Sequence, residues 1–156
     1  MDGNFHQRHR KTAGDCPWFY EPKYFISKAE VDSVGQHIDN LRKRPTRERR
    51  REGMSDQAID SCLKSHEAAD GTREKENPDV FDDTGLMALT CRHDIPIFYA
   101  NIDTPGEQQK YAIALLKHLF GLLPPNATVS ALYDVGCVLD RSLDLVRTYC
   151  RTHMRI

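Results

Sequence analysis

Two aspartates of the sequence stand where a divalent cation could be bound. Asp134 follows a short apolar run, residues 129–133, which comes after a Pro-Pro-Asn turn. This run predicts a strand. Ligands of open α/β sheets bind at the carboxyl ends of strands, which is where Asp134 would lie. Asp2 could meet it there, although a carboxylate so near a terminus is also typical of a frayed end. Neighbouring carboxylates repel unless a cation lies between them, and Mg²⁺ favours such oxygen ligands.

A pair of bound metal ions defines the chemistry that this site could perform. Paired metals activate a water molecule and stabilise a leaving 3′ oxygen, so the site would cleave a phosphodiester.

Cysteine and histidine residues suggest a second, softer metal site. Cys91 and His93 lie on one turn, Cys62 lies on a predicted helix, and the fourth ligand would be His66 on that helix or Cys137 just after Asp134. Four such ligands bind Zn²⁺ tetrahedrally, and the ion would tie the helix to the turn. The alternative is that each cysteine is a small buried apolar residue and each histidine lies at the surface, since the sequence contains no CxxC pair.

A basic run offers a possible contact with phosphate groups. Residues 42–51 contain seven basic residues and one proline, without apolar periodicity, which predicts a flexible linker. The basic residues are Arg42, Lys43, Arg44, Arg47, Arg49, Arg50 and Arg51. Such a run serves as a phosphate-binding arm or a nuclear localisation signal, or it is merely solvated, and the composition leaves these interpretations open.

The sequence also predicts the strands and helices that must position these residues, beginning with a hairpin. Residues 86–90 and 95–100 are apolar runs joined by a polar turn, which predicts an antiparallel hairpin. Pro96 cannot donate a ladder hydrogen bond, so its strand should be an edge strand. A helix should begin at the capping sequence Thr104-Pro105-Gly106-Glu107 and end before Pro124.

Three further helices are predicted. Ser27 begins a capping box ahead of a helix that reaches about Leu41, a second helix covers residues 54–69, and a last helix covers residues 139–150. The opening strand, though cut short, is expected to pair with strand two of the hairpin and with the final strand, which places Asp2 beside Asp134. This is a ribonuclease H-like α/β fold with a mixed sheet, one domain over residues 1–156, with a helical, basic insertion at 16–80.

Composition limits the classes of partner. The chain has 156 residues and a formal net charge of −1, so attraction to nucleic acid must come from local clusters. The five cysteines are scattered singly, without a secretory signal, which favours reduced thiols inside the cell. No apolar run approaches the roughly 20 residues of a membrane span. Oligomeric state cannot be inferred from this composition.

Five segments in order resemble blocks of one transposase family. They are residues 2–5 (DGNF), 68–71 (AADG), 81–94 (FDDTGLMALTCRHD), 106–112 (GEQQKYA) and 132–137 (LYDVGC). Together they are similar to the Kyakuja-Dileera-Zisupton (KDZ) transposases, a group abundant in basidiomycete, mushroom-forming fungi. The resemblance covers nearly the whole chain.

The resemblance implies a ribonuclease H-like enzyme of the DDE class, which cuts and joins DNA in the nucleus with Mg²⁺ or Mn²⁺. Asp2 is then the first acid and Asp134 the second. The family's third acid, a later glutamate, has no counterpart because no glutamate follows Glu107. We therefore expect a fragment of a transposase, inactive in cleavage; the alternative is a non-catalytic DNA-binding or protein-interaction module with a zinc-stabilised insertion.

Overall fold

In the described residues the chain folds as a mixed α/β protein, with a central antiparallel sheet and two long helices. The computed structural model describes residues 1–15, 17, 22–43, 57–58, 60–61, 79–104, 106, 108–134, 136, 138–139, 142 and 154–155. Within those ranges, neither helix combines the length and apolar character needed to cross a membrane.

A three-stranded antiparallel sheet forms the centre of the structure. Strand β1 is Asp2–Asn4, and two other short strands, β2 (His9–Arg10) and β3 (Phe81–Asp83), pair beside the sheet. The hairpin strands β4 (Gly85–Thr90) and β5 (Pro96–Ile102) complete the sheet in the order β1-β4-β5. The predicted hairpin is confirmed, and so is the position of Pro96 on an edge strand of this sheet.

The opening strand pairs with β4, the first strand of the hairpin, rather than with the second strand as predicted. Asp2 lies opposite Ala88 and Asn4 lies opposite Leu86 in an antiparallel ladder. Antiparallel neighbours in register share a face of the sheet, and faces alternate along each strand. The position of Asp2 is therefore fixed by the register of β4, and the interpretation of this segment as a frayed terminus is wrong.

One face of the sheet forms the hydrophobic core. Met87, Ala100 and Ile102 are fully buried there, while Ala88 and Tyr99, on the opposite face, are only partly buried. Helices α1 (Lys28–Arg42) and α2 (Gln109–Leu122) pack on the core face and against each other. The other face is left for the segments that carry the candidate site.

Helix α1 begins and ends close to its predicted positions. The Ser27 hydroxyl accepts a hydrogen bond from the Glu30 backbone N–H at 3.3 Å, which satisfies one of the free donors at the helix start. The Glu30 carboxylate does not complete the capping box with Ser27. It instead lies 3.1 Å from Nδ1 of His118 on α2, so it joins the two helices.

Helix α2 starts later than the sequence predicts. Its N-cap is Gln108, without a side-chain cap, whereas Thr104 was the predicted cap. Gly106 has φ = 74°, a left-handed conformation that interrupts a helix, and the Thr104 hydroxyl is bound to Tyr111. The predicted end before Pro124 is confirmed, because the helix stops at Leu122.

The final strand is shorter than predicted and has a different partner. Strand β6 is only Val129–Ser130, and it pairs in parallel with β7 (Met154–Arg155) in a separate two-stranded sheet. In the parts of the chain that the structure describes, no ladder joins β1 to β6. Where a continuous sheet was expected, the Met1 amino group instead donates a hydrogen bond to the Leu132 carbonyl oxygen.

Most of the proposed insertion lies outside the described residues. Residues 57, 58, 60 and 61 are helical, within the predicted helix at 54–69, and residues 136, 138, 139 and 142 are also helical. The rest of both predicted helices, and most of residues 44–78, lie outside the description. The division into one domain with an insertion stays a prediction.

Candidate functional site

The start of β1 lies beside the segment that carries Asp134. The Met1 amino group donates a hydrogen bond to the carbonyl oxygen of Leu132 at 2.8 Å, although the two residues are 131 positions apart. A cleft of about 470 Å³ opens there. It is lined by Met1, Ala88, Thr90, Leu132, Tyr133 and Asp134. The start of the chain and residues 132–134 therefore meet over the sheet face opposite helices α1 and α2.

Asp134 is exposed and lies on a turn rather than at a strand end. The Gly136 backbone N–H donates to the Tyr133 carbonyl oxygen at 3.0 Å, which closes the turn around Asp134. Strand β6 has already ended at Ser130, so residues 131–133 reach the cleft without strand pairing. The carboxylate is therefore delivered to the cleft by a turn, and it borders the cleft directly.

Asp2 is placed by its backbone register. It lies opposite Ala88, which lines the cleft, and it follows Met1, which also lines the cleft. The description of Asp2 covers its backbone and not its side chain. The register thus brings the two predicted acids to one edge of the sheet, and their role in binding a cation stays a prediction.

The side chains near Asp134 can be compared with the set of ligands that Mg²⁺ commonly takes. No group of three or more histidine, cysteine, aspartate or glutamate side chains among the described residues is arranged to hold a metal ion. Mg²⁺ is commonly bound by one or two carboxylates, together with water and substrate phosphates, and does not need an all-protein cage. An exposed carboxylate at an open cleft is compatible with that mode of binding.

Two of the predicted zinc ligands meet at the hairpin turn. The sulfur of Cys91 lies 3.8 Å from Nδ1 of His93 and accepts a hydrogen bond from the His93 backbone N–H at 3.4 Å. The turn is closed by Asp94, which has φ = 60°. The other predicted zinc ligands, Cys62, His66 and Cys137, lie outside the described residues.

The predicted phosphate-binding run is described only at its beginning. Arg42 is the last residue of α1 and Lys43 is its C-cap, and both are exposed. Cations at a helix C-terminus interact favourably with the helix dipole, so their positions also have a structural explanation. Arg44, Arg47, Arg49, Arg50 and Arg51 lie outside the described residues.

A polar network fixes the connection from β5 to α2. The Tyr111 hydroxyl donates to Oδ1 of Asp103 at 2.6 Å and accepts from the Asp103 backbone N–H at 3.0 Å. Since its one proton is donated to Asp103, the Thr104 hydroxyl at 2.8 Å must donate to Tyr111. Lys110, at 3.2 Å, and Lys28 pair with the same carboxylate. Burial raises the pKa of Tyr111 to about 12.

A pair formed by His9 and Asp82 joins the two strands of the small β2–β3 sheet. Nδ1 of His9 lies 2.8 Å from the Asp82 carboxylate, and Nε2 lies 3.2 Å from the Gly14 carbonyl oxygen. Both nitrogens face acceptors, so only the doubly protonated ring can donate to both. The hydrogen bond with Asp82 raises the pKa of His9 and lowers the pKa of Asp82.

Three aromatic residues on the cleft's face of the sheet were not predicted as site residues. Tyr99 of β5 lies opposite Ala88, and it contacts Tyr24 and Phe25. Alternation along β5 could have placed Tyr99 on this face once the hairpin register was assigned. The contact with Phe25 depends on a parallel bridge between distant segments, which local sequence does not indicate.

Comparison with known proteins gives one informative match. The family model described as Kyakuja-Dileera-Zisupton transposase matches residues 1–155. No curated protein and no solved structure matches the chain significantly. The family match spans both ends of the chain and includes the strand of Asp2, the hairpin and the turn of Asp134. The chain therefore belongs to the Kyakuja-Dileera-Zisupton transposase family.

Proposed function

We propose that this chain carries two acids of a DDE-type DNA transposase core with a ribonuclease H-like fold, and that it acts on DNA in the nucleus. The proposal rests on one observation above all: the hydrogen bond from Met1 to Leu132 holds the start of β1 beside the turn of Asp134. Because the chain belongs to a family of transposases, the proposed substrate is DNA.

In this proposal Asp2 and Asp134 hold Mg²⁺ or Mn²⁺ at the cleft. The cation supplies Lewis acidity toward a phosphodiester and an activated water molecule when it is bound. The protein's own contribution is positional: β4 fixes the strand of Asp2, and the Tyr133–Gly136 turn presents Asp134 to DNA at an open cleft.

The chain as it stands should bind a cation without cleaving DNA. A DDE centre distributes two cations over three carboxylates, and no glutamate follows Glu107 in this sequence. Without the third carboxylate, the second cation and the attacking water lose their alignment, and alignment supplies much of the rate enhancement.

Cation binding tests the role of Asp134 directly. Titration calorimetry with Mn²⁺ should give a weak site in the wild-type chain that disappears in Asp134→Ala. Asp39→Ala is the matched control, because it removes an exposed carboxylate from α1, on the opposite side of the sheet. Equal Mn²⁺ binding by the wild type and Asp134→Ala would rule out the proposed metal site.

Cleavage is tested with an end-labelled duplex in the presence of Mg²⁺ or Mn²⁺. We expect no product from the wild-type chain or from Asp134→Ala. A product that appears only with the wild type would overturn the predicted inactivity. It would also point to Asp140 or Asp144, two aspartates of the predicted last helix at residues 139–150, as the third carboxylate.

DNA binding is proposed to come from the basic run, with strong dependence on salt. Each neutralised phosphate contributes a slope of about −0.9 to a plot of log affinity against log salt concentration. Replacing Arg49, Arg50 and Arg51 with alanine should therefore reduce the slope by up to about 2.7 if all three contact phosphates. An unchanged slope would assign the run to a solvated linker.

The alternative function is a non-catalytic module that binds DNA or protein and is stabilised by zinc. One observation favours the zinc site: tetrahedral bonds of about 2.3 Å to sulfur and 2.0–2.1 Å to nitrogen separate the two ligand atoms by roughly 3.6 Å. The observed separation of the Cys91 sulfur and His93 Nδ1 is 3.8 Å.

Elemental analysis and a chelator titration distinguish this alternative. Bound zinc that is lost in Cys91→Ser, together with loss of helicity on chelation, would support the module. If the purified protein contains no zinc and its helicity does not change in chelator, Cys91 and His93 are ordinary residues of the turn.

A further inference from the structure

Three aromatic rings form a compact surface at the outer edge of β5. The ring centroids of Phe25 and Tyr99 are 5.3 Å apart with an interplanar angle of 28°, and Tyr24 lies 5.9 Å from Tyr99 in an edge-on orientation. Tyr24 is 41% exposed and Phe25 is 38% exposed, although both are large hydrophobic side chains. This aromatic surface is therefore open to a partner.

Backbone hydrogen bonds hold the surface in place. The Tyr99 N–H donates to the Tyr24 carbonyl oxygen at 2.8 Å, and the Ile26 N–H donates to the Tyr99 carbonyl oxygen at 2.9 Å. Ile26 is buried in the core directly after the two rings. The edge of the sheet and the buried side chain of Ile26 thus hold the rings in place, although the rings themselves are only partly buried.

The aromatic surface lies in the same row of the sheet as Asp2. Asp2 is opposite Ala88, Ala88 is opposite Tyr99, and Tyr99 bridges to Phe25. Adjacent strands are about 4.8 Å apart, so the backbones of Asp2 and Tyr99 are separated by about 10 Å. That distance corresponds to roughly three stacked nucleotides at 3.4 Å each.

We propose that Tyr24, Phe25 and Tyr99 form a stacking site for an unpaired DNA base, within about three nucleotides of the phosphate at the Asp134 cleft. The position of that phosphate rests on the proposed function. The occupant is a base because its flat face can stack on the exposed rings of this surface; Phe25 and Tyr99 already stack on each other, so the base adds to their stack from outside. It is unpaired because the faces of bases inside a duplex are already covered by their neighbours.

The chemistry of the surface favours this occupant over a protein segment. Aromatic side chains stack on any base, so they suit a strand of variable sequence. Lys23 is exposed and immediately precedes Tyr24, which provides a cation for the backbone of the same strand. The edge of β5 at Tyr99 is already bridged by Phe25, so a partner's β-strand cannot pair there.

Binding in the absence of divalent metal tests the stacking site separately from the proposed metal site. The probes are an oligothymidylate of about twelve nucleotides and a blunt duplex of the same length, in EDTA. The double variant Phe25→Leu/Tyr99→Leu removes two rings, and Phe25→Tyr/Tyr99→Phe is the matched control that keeps them. Removal of the rings should weaken single-strand binding about tenfold and leave duplex binding unchanged.

Equal affinities of the two double variants for the oligothymidylate would overturn the stacking site, as would parallel losses on single strand and duplex. Wild-type protein provides a second measurement that needs no variant. An oligonucleotide that carries 2-aminopurine should lose fluorescence when the probe base stacks on the rings, and unquenched binding would refute the proposal. The quenching is measured in EDTA, without bound metal, so failure of the metal site does not mimic failure of the stacking site.

Discussion

Gly85 is the position where a single methyl group should disturb the strand of Asp2. A Cβ atom added at Gly85 would lie 2.8 Å from the Asn4 carbonyl oxygen and 3.2 Å from Cα of Phe5. Both are backbone atoms at the end of β1, so the contact cannot be relieved by turning a side chain. We expect Gly85→Ala to force β1 away from β4.

The magnitude follows from the cost of adding a methylene-sized group to a packed interior. Such changes cost about 1–3 kcal/mol. For a domain of this size, each kcal/mol lowers the melting temperature by roughly 2–4 °C, so the loss should be about 2–12 °C. Gly121→Ala is the matched control, because nothing lies within 4 Å of its added Cβ and it sits in helix α2. It should stabilise the protein by about 0.5–1 kcal/mol.

Urea unfolding of the two glycine variants and the wild type gives the free energies, and Mn²⁺ titration gives the functional effect. If Asp2 shares a cation with Asp134, Gly85→Ala should weaken Mn²⁺ binding while Gly121→Ala leaves it unchanged. A Gly85→Ala variant as stable as the wild type would refute the packing of β1 against β4. A destabilised variant with normal Mn²⁺ affinity would instead remove Asp2 from the metal site.

Two further predictions concern hydrogen-bonded pairs outside the cleft. Tyr111→Phe removes the 2.6 Å bond to the Asp103 carboxylate and should cost about 1.5–3 kcal/mol in urea unfolding, with Tyr99→Phe as the control expected within about 0.5 kcal/mol. Because the pKa of Tyr111 is raised to about 12, wild-type stability from this group should be intact below pH 10 and lost as pH rises toward 12, and Tyr111→Phe should not show that loss. Because the pKa of His9 is raised, the stabilisation from its bond to Asp82 is fully present below about pH 6.5 and is lost as pH rises through the raised pKa. Because the pKa of Asp82 is lowered, the same stabilisation is present above its ordinary pKa of 3.8 and is lost as pH falls through the lowered pKa. In a nuclear magnetic resonance titration, Asp82→Asn should bring the pKa of His9 down, and an unchanged His9 titration would contradict the pairing.

Local signals in the sequence predicted much of the fold. The hairpin followed from two apolar runs and a polar turn, and helix α1 followed from Ser27 and its periodic apolar residues Val31, Val34 and Ile38. These elements depend on nearest neighbours and on a single buried face. The start of α2 was mispredicted because Thr104 binds Tyr111, a tertiary contact that outweighs a local capping signal.

The candidate site was less accessible to sequence reasoning because it depends on distant contacts. The edge that Asp2 shares with Asp134 rests on Met1 and Leu132, and the pairing of β6 with β7 joins two segments that are far apart in the chain. The position of Asp134 after an apolar run was readable. Its delivery by a turn, after the strand had already ended, was not.

The geometry of the site depends on how a strand as short as β1 keeps its register. An isolated pair of strands is marginally stable in water, so three residues cannot fix Asp2 by their own hydrogen bonds. Contacts on both sides of the strand supply what is missing. Met1 is bound to Leu132 on one side, and on the other Asn4 Oδ1 accepts from the His6 N–H at 2.9 Å and turns the chain toward β2.

The small β2–β3 sheet completes this arrangement. Arg8 Nε donates to the Phe5 carbonyl oxygen at 3.1 Å, and the His9–Asp82 pair then joins β2 to β3, which leads directly into β4. The chain after β1 is thereby fastened to the chain before β4, the strand against which β1 pairs. A loop closed in this way limits sliding of β1 along β4, and a slip of one residue would move Asp2 to the core face. The surroundings of β1, rather than its own sequence, therefore keep Asp2 in the row of Ala88 and Tyr99.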